Sequence, residues 1–350
     1  MLKGGYMIKK DIKSMTYEML EHYFLELNEP KFRAKQVFQW LHNKLAPTFD
    51  NMTNISKALR NTLEEKTSLP SLKTVKKLSS ELDGTKKFLF ELEDGHCIES
   101  VFMKYKHGNS VCISSQVGCK MGCTFCASTI GGLVRNLKAS EMLEQVYAII
   151  RETNERISNI VIMGTGEPLD NYEELLNFIR IITDEKGLNI SIRNITVSTC
   201  GLVDKIKMLA EEQLGITLAI SLHAPNDNMR KQTMPIANKV TIEEILEACQ
   251  YYIEKTHRRI TFEYSLINGF NDSPEHAVEL SQLLRGLLCH VNLIPVNPIE
   301  ERDYKQSSKE VITKFSGILE KKGIHTTMRR ELGRDIQAAC GQLRKNYKNE

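Results

Sequence analysis

Between residues 15 and 66 apolar positions recur every three or four residues, the period of a half-buried helix. In TYEMLEHYFLELNEP, Met19, Leu20, Tyr23, Phe24 and Leu27 keep this spacing until Pro30 breaks it. In KFRAKQVFQWLHNK, Phe32, Val37, Phe38, Trp40 and Leu41 fall mostly on one side. NISKALRNTLEEKTS predicts a third helix, capped by Asn54 or Thr53. Residues 1–70 therefore read as a helical accessory domain with a small core of its own. Over 71–107 the pattern changes to short β-like runs around Asp94-Gly95, a hairpin-turn dipeptide, and predicts a β-hairpin connector.

From residue 109 onward apolar strands alternate with amphipathic helices. NSVCISS precedes SEMLEQVYAIIRE, with Ser140 as its N-cap; NIVIMG precedes YEELLNFIRIIT; NITVST precedes LVDKIKMLAEE. GITLAISLH precedes TIEEILEACQYYIEKT; RITFEYSLI precedes a helix from Ser273-Pro274 to Leu288; HVNLIPVN precedes SSKEVITKFSGILEKK. Six βα units predict an α/β fold over 108–350, a parallel sheet covered by helices. Chemistry then belongs on the loops after the strands.

Composition narrows this little: 41% of the 350 residues are hydrophobic, 26% are charged and the net charge is +3. Basic residues are nonetheless clustered, at Lys31, Arg33 and Lys35, at Lys73, Lys76 and Lys77, at Lys255, Arg258 and Arg259, and at Arg329, Arg330 and Arg334. Such clusters suit phosphate contacts, and each also suits a plain solvated face. MLKGGYMIKKDIKS lacks the apolar stretch of a signal peptide, and no run reaches membrane-span length. A cytoplasmic protein with reduced thiols is the expectation for its nine cysteines.

Three of those cysteines carry the strongest signal. CKMGCTFC places Cys119, Cys123 and Cys126 in C-x₃-C-x₂-C spacing just after the first strand of the βα series. Structural zinc usually closes its site with four ligands. A cubane iron–sulfur cluster on three thiolates keeps one iron open for a substrate. Zinc completed by a distant Cys or His is the alternative. MGTGEP, with Gly164, Gly166 and Glu167, ends the second strand; it lacks the G-x-G-x-x-G spacing and is otherwise a simple turn. Ser198 ends the third strand, Ser221, Leu222 and His223 the fourth, and Asn297 the sixth. His96, His257, His276, His290 and His325 show no metal-ligand spacing.

These segments resemble a known family. C-x₃-C-x₂-C at this place resembles the radical S-adenosylmethionine (SAM) superfamily, whose fold is a full or partial barrel. SSQVGCKMGCTFCASTIGGLVRNL, VIMGTGEPLDNY, SLHAPNDNMRKQTMPIAN, VNLIPVNP and RRELGRDIQAACGQLR together are similar to the radical-SAM adenine C2-methyltransferases of 23S rRNA and tRNA. The resemblance covers nearly the whole chain. It implies a partial (β/α)6 radical-SAM barrel, a [4Fe-4S] cluster on Cys119, Cys123 and Cys126, and two SAM molecules per turnover. It implies that Gly166, Glu167, Ser198, Ser221, Leu222, His223 and Asn297 bind SAM.

The resemblance also implies a route. C2 of adenine has no lone pair to attack a sulfonium methyl, so polar methyl transfer fails there. One SAM methylates Cys340. A second is cleaved to a 5′-deoxyadenosyl radical, which takes hydrogen from the S-methyl group. The methylene radical adds to C2, a proton is lost, and Cys112 attacks the Cys340 sulfur. Methylated RNA leaves and a Cys112–Cys340 disulfide remains for an external reductant. Glu99 matches the family's proposed proton acceptor; a solvated strand carboxylate is its plainer reading. Cys97, Cys200, Cys249 and Cys289 match no role and read as structural. The implied substrates are adenine 2503 of 23S rRNA and adenosine 37 of tRNA; the implied donor is a flavodoxin or ferredoxin; the implied state is a monomer. A relative that methylates C8 of the same adenine, and a non-enzymatic RNA-binding protein with a structural metal site, are the competing readings. VIMGTGEPLDNY, with Pro after Gly-Glu, fits the C2 group.

Overall fold

Short polar side chains start most of the helices, and apolar stripes fix which side they bury. The fold is described by a computed structural model over residues 9–106 and 108–343. The first residues of the N-terminal segment read above, and Arg344 of the last motif, lie outside the described residues. Helix α1 (Tyr17–Glu26) is capped by the Thr16 hydroxyl, which accepts from Met19 N–H, and it buries Leu20, Tyr23 and Phe24. Helix α2 (Lys31–His42) buries Ala34, Val37, Phe38, Leu41 and His42. Phe32 is exposed instead, because it stands on the opposite side of that helix. Helix α3 (Lys57–Lys66) is capped by Ser56, not by Asn54 or Thr53. Asn54 is engaged elsewhere: its side chain accepts from Trp40 Nε1 at 2.5 Å. Strands β1 (Lys10–Asp11) and β2 (Thr67–Ser68) pair in parallel and close this segment.

The segment shares one continuous core with the rest of the chain. Lys13 Nζ meets Glu144 Oε1 at 2.6 Å with both side chains almost fully buried, and Arg151 donates to Glu144 Oε2 at 2.7 Å. Glu144→Ala would strand the Lys13 ammonium with a single carbonyl partner, Pro70 O. We expect a loss of about 3–5 kcal/mol of stability, read as a lower urea midpoint. An unchanged midpoint would show that the pair contributes nothing net.

Strands β3 (Lys73–Ser79), β4 (Lys86–Glu91) and β5 (Cys97–Met103) form an antiparallel meander with Asp94-Gly95 in its second turn. They are not a detached connector. β5 pairs with β6 (Asn109–Cys112), so the meander continues the main sheet. From β6 the sheet runs in parallel through β9 (Ile157–Ile162), β10 (Ile195–Thr199), β11 (Thr217–Ser221), β12 (Ile260–Leu266), β13 (Cys289–Pro295) and β14 (Thr326–Met328). Ten strands lie in the order β3-β4-β5-β6 and then β9 to β14 in turn, with β3 and β14 as open edges. This is a partial barrel. Its seventh parallel strand, β14, escaped the periodicity because it has three residues and is largely exposed. A small ribbon of β7 (Gln116–Gly118) and β8 (Leu133–Asn136) brackets the cysteine loop.

The crossover helices are α4 (Ala139–Thr153), α5 (Tyr172–Thr183), α6 (Val203–Glu211), α8 (Ile242–Thr256), α9 (Pro274–Leu283) and α10 (Lys309–Lys321), with a short α7 (Asp227–Thr233) before α8. Ser140 is not the cap of α4; Lys138 is, and its N–H donates to Glu141. Ser140 Oγ donates instead to Asp11 Oδ2, tying α4 to the N-terminal segment. Helix α9 ends at Leu283 rather than Leu288, where turns through Leu284 and Leu287 lead into β13. Among the described residues no helix is long and apolar enough to cross a membrane.

Strand parity decides which side chains meet the site. On β5, Ile98 and Phe102 enter the main core, whereas Val101 and Met103 turn to a second cluster with Cys112, Leu332, Ala338 and Leu343. Successive strand residues point to opposite faces. Glu99 therefore lies on the Val101 face, and Val101 stands directly opposite Cys112.

Candidate active site

At the C-terminal ends of the parallel strands lies a cavity of about 950 Å³, counting its open mouth. One wall is the loop after β7. Cys119, Cys123 and Cys126 all line the cavity, and none is in a disulfide. Thr129 Oγ1 donates to both Cys123 O and Cys126 O, at 3.1 and 2.9 Å, which holds the loop in a tight turn. Burial pushes the Cys119 thiol up to about 12 and raises Cys123 and Cys126 as well. A cationic metal core would supply the charge that ionises them.

The donor set fits a cluster better than a single ion. Zinc draws its ligands to about 2.0–2.3 Å from one centre. Among the described residues no three His, Cys, Asp or Glu side chains are placed to hold one ion. Three soft thiols on one wall of an otherwise open cavity suit an iron–sulfur core.

The strand ends form the rest of the wall. Gly166 has φ +111°, and a Cβ there would lie 2.6 Å from Gln116 Cβ, so the turn requires glycine. Gln116 Oε1 accepts Glu167 N–H at 2.9 Å. The Glu167 carboxylate accepts from Leu169 N–H at 3.1 Å and Cys200 N–H at 2.8 Å. It thus caps its own turn and also lines the cavity. Burial raises its pKa against those hydrogen bonds.

Ser198 and Ser221 line the cavity with their hydroxyls 3.4 Å apart. His223 lines it in the left-handed region, φ 58°. Its Nδ1 accepts Ser265 N–H at 2.9 Å, which leaves the proton on Nε2. Burial, and then the Arg230 charge, bring its pKa down to about 3, so the ring is neutral at physiological pH. Leu222 is the exception. Its side chain is buried away from the cavity, and its N–H donates to Glu263 O.

The C-terminal segment covers the mouth. Asn297 Nδ2 donates to Cys340 O at 3.0 Å, and Ala127 N–H donates to Gly341 O at 2.7 Å. Cys340 lines the first cavity and also a second of about 550 Å³, which Cys112 lines with Met163 and Arg329. Burial pushes the Cys112 thiol up to about 12, and Cys340 adds to this while Arg329 opposes it. Glu99 lines neither cavity. Its carboxylate meets Lys87 Nζ at 3.0 Å, and Lys87 donates in turn to Gln337 O of the C-terminal segment.

With this geometry in hand, comparison with known proteins is direct. The Radical SAM superfamily matches residues 113–281, and the ribosomal RNA large subunit methyltransferase N-terminal domain matches residues 10–69. A probable dual-specificity RNA methyltransferase RlmN of Lachnospira eligens is 61% identical over 337 residues, 96% of each chain. The chain belongs to the RlmN family. Another RlmN, of Alkaliphilus oremlandii, is 58% identical over 97% of this chain and 99% of its own. The crystal structure of a radical SAM methyltransferase from Sphaerobacter thermophilus gives a TM-score of 0.92 at 45% identity, covering 96% of this chain and all of that one. For an RlmN family member, a cluster and SAM are the implied groups.

Several lining residues of this RlmN chain carry no signal in the sequence: Phe125, whose ring packs 4.9 Å from that of His223, and Cys200, Glu263 and Ser265. Phe125 lies in the loop and Cys200 just past β10, while Glu263 and Ser265 lie within β12 at polar positions that apolar periodicity does not single out. Arg329 reads as one of a basic surface cluster, yet its guanidinium is mostly buried, 3.7 Å from Glu263.

Proposed function

We propose that this RlmN family member, a radical-SAM RNA methyltransferase, methylates C2 of adenine in 23S rRNA and tRNA through a methylated Cys340 and a transient Cys112–Cys340 disulfide. The observation that carries this reading is that Cys340 lines both cavities, facing the thiol triad in one and Cys112 in the other. A buried thiol with only a packing role needs neither neighbour.

In this reading Cys119, Cys123 and Cys126 hold a [4Fe-4S] cluster, while Gly166, Glu167, Ser198, Ser221, His223 and Asn297 hold SAM, Leu222 contributing only backbone. When bound, these groups supply the methyl, a reducing electron passed on from a flavodoxin- or ferredoxin-like donor, and hydrogen abstraction, with two SAM consumed per turnover. The neutral His223 offers an Nε2–H donor and the buried Glu167 carboxylate an acceptor. Cys340 holds the one-carbon unit at the junction of the cavities. Cys112 takes over the Cys340 sulfur as the carbon leaves it, so one S–S bond replaces one C–S bond. The Arg329 guanidinium, which lines the second cavity with both thiols, favours the thiolate that this attack requires. Glu99 accepts the C2 proton only if Lys87 yields its ion pair. Lys31, Arg33 and Lys35 on α2 are the basic residues we assign to the RNA backbone; Lys73, Lys77 and Lys255 already pair with Glu91, Glu152 and Glu211.

Anaerobic reconstitution with SAM, a reductant and an rRNA fragment, followed by nucleoside mass spectrometry, tests the product. We expect 2-methyladenosine. 8-Methyladenosine would favour the C8 relative, and no methylated nucleoside would favour a binding protein.

A further inference from the structure

Arg230, on α7, is the largest fully buried side chain among the described residues. A guanidinium stays protonated and offers five N–H donors. Here Nη2 donates to Cys200 O at 2.6 Å and Nη1 to Val240 O at 3.5 Å, while Nε has no partner. Both acceptors are neutral carbonyls. Asp227 is the acidic group that acts on it, and it does so through space. A buried cation so weakly compensated is costly unless an anion is meant to stand near it.

The surroundings point to which anion. Segment 227–238 forms the wall behind the cysteine loop. Thr124 N–H donates to Thr233 O at 2.8 Å, and Met234 packs with Cys119, Met121 and Cys200. A Cβ on Gly122, at φ +74°, would lie 3.3 Å from Pro235. Arg230 reaches this cluster directly: the carbonyl it holds at 2.6 Å belongs to Cys200, whose side chain packs in one group with Cys119 and Cys123.

We propose that Arg230 is an electrostatic positioning residue of the thiol triad, a fixed positive charge that raises the reduction potential of a cluster held by Cys119, Cys123 and Cys126. The inference rests on the cluster assignment made above. Three thiolates outweigh the positive charge of an oxidised iron–sulfur core, and each added electron makes the site more negative. A cation held nearby in a poorly screened interior favours the reduced form. The plainer role, pinning two carbonyls, predicts no dependence of the potential on charge.

The test is the midpoint potential of the anaerobically purified full chain, followed by electron paramagnetic resonance during titration with dithionite, a one-electron donor in its radical form. Arg230→Met should lower the reduced-to-oxidised ratio at fixed potential at least about tenfold, about 59 mV toward more negative values. Arg230→Lys, which keeps the charge, should stay near the unaltered protein even if it is less stable. Asp227→Asn keeps the oxygen that accepts Ile242 N–H and removes the opposing charge, so it should shift the potential upward. An unchanged potential in Arg230→Met, or equal shifts in the Met and Lys variants, overturns the proposal. If Arg230→Met fails to hold a cluster, Asp227→Asn decides, and no upward shift overturns it. Absence of iron and sulfide from the unaltered protein would refute the cluster assignment instead.

Discussion

Cys340→Ala should make no methylated RNA while keeping its full content of iron and sulfide. The side chain proposed to carry the one-carbon unit is gone, but Cys119, Cys123 and Cys126 lie on another loop, anchored by Thr129 and by Thr233. Loss of the Cys340 thiol touches none of those anchors, since Asn297 and Ala127 hold the C-terminal segment through the backbone oxygens of Cys340 and Gly341. The effect is total for methylation and absent for cluster content. Iron analysis beside nucleoside mass spectrometry reads both. A variant that still methylates would return Cys340 to the status of a half-buried thiol.

Cys112→Ala should stop turnover at a different point. On the proposed route adduct formation uses Cys340 and release uses Cys112. The variant should therefore accumulate protein joined covalently to RNA, up to one RNA per protein, visible as a slowly migrating band that nuclease collapses. Cys112 is buried in its own cluster with Val101, Leu332 and Leu343, and alanine there removes a single sulfur from it. Free methylated RNA at the ordinary rate would rule out the resolving role.

What could be read from the chain divides along physical lines. The helices and the parallel strands were legible because apolar periodicity reports burial. The cysteine triad was legible because its members lie within eight residues of one another in sequence. The nearness of Cys112 and Cys340 had no such local signal. It depends on the parity of β5 and β6 and on where the chain after β14 folds back, and only the family resemblance anticipated it. Caps were misplaced at α3 and α4 because several adjacent polar residues compete for each site, and Ser140 was drawn off by Asp11. The β4–β5 hairpin was legible around Asp94-Gly95, but β3 was not singled out, and the union with the main sheet rests on the pairing of Phe102 with Val111, a contact between separate strands. Glu99 and Leu222 matched by position, yet neither side chain lines a cavity: Glu99 shares the face of Val101 but is engaged by Lys87, and Leu222 is buried in the main core, contacts that a match in sequence does not report.

The central claim is that the transferred carbon passes through Cys340. Protein premethylated with unlabelled SAM is given SAM carrying a trideuterated methyl group, and the nucleoside products are weighed in order of formation. The first product should carry an unlabelled carbon, taken from Cys340, and later products a methyl with two deuteriums, the third having been removed before transfer. An intact trideuterated methyl in the first and every later product would mean direct delivery from SAM and would contradict the account.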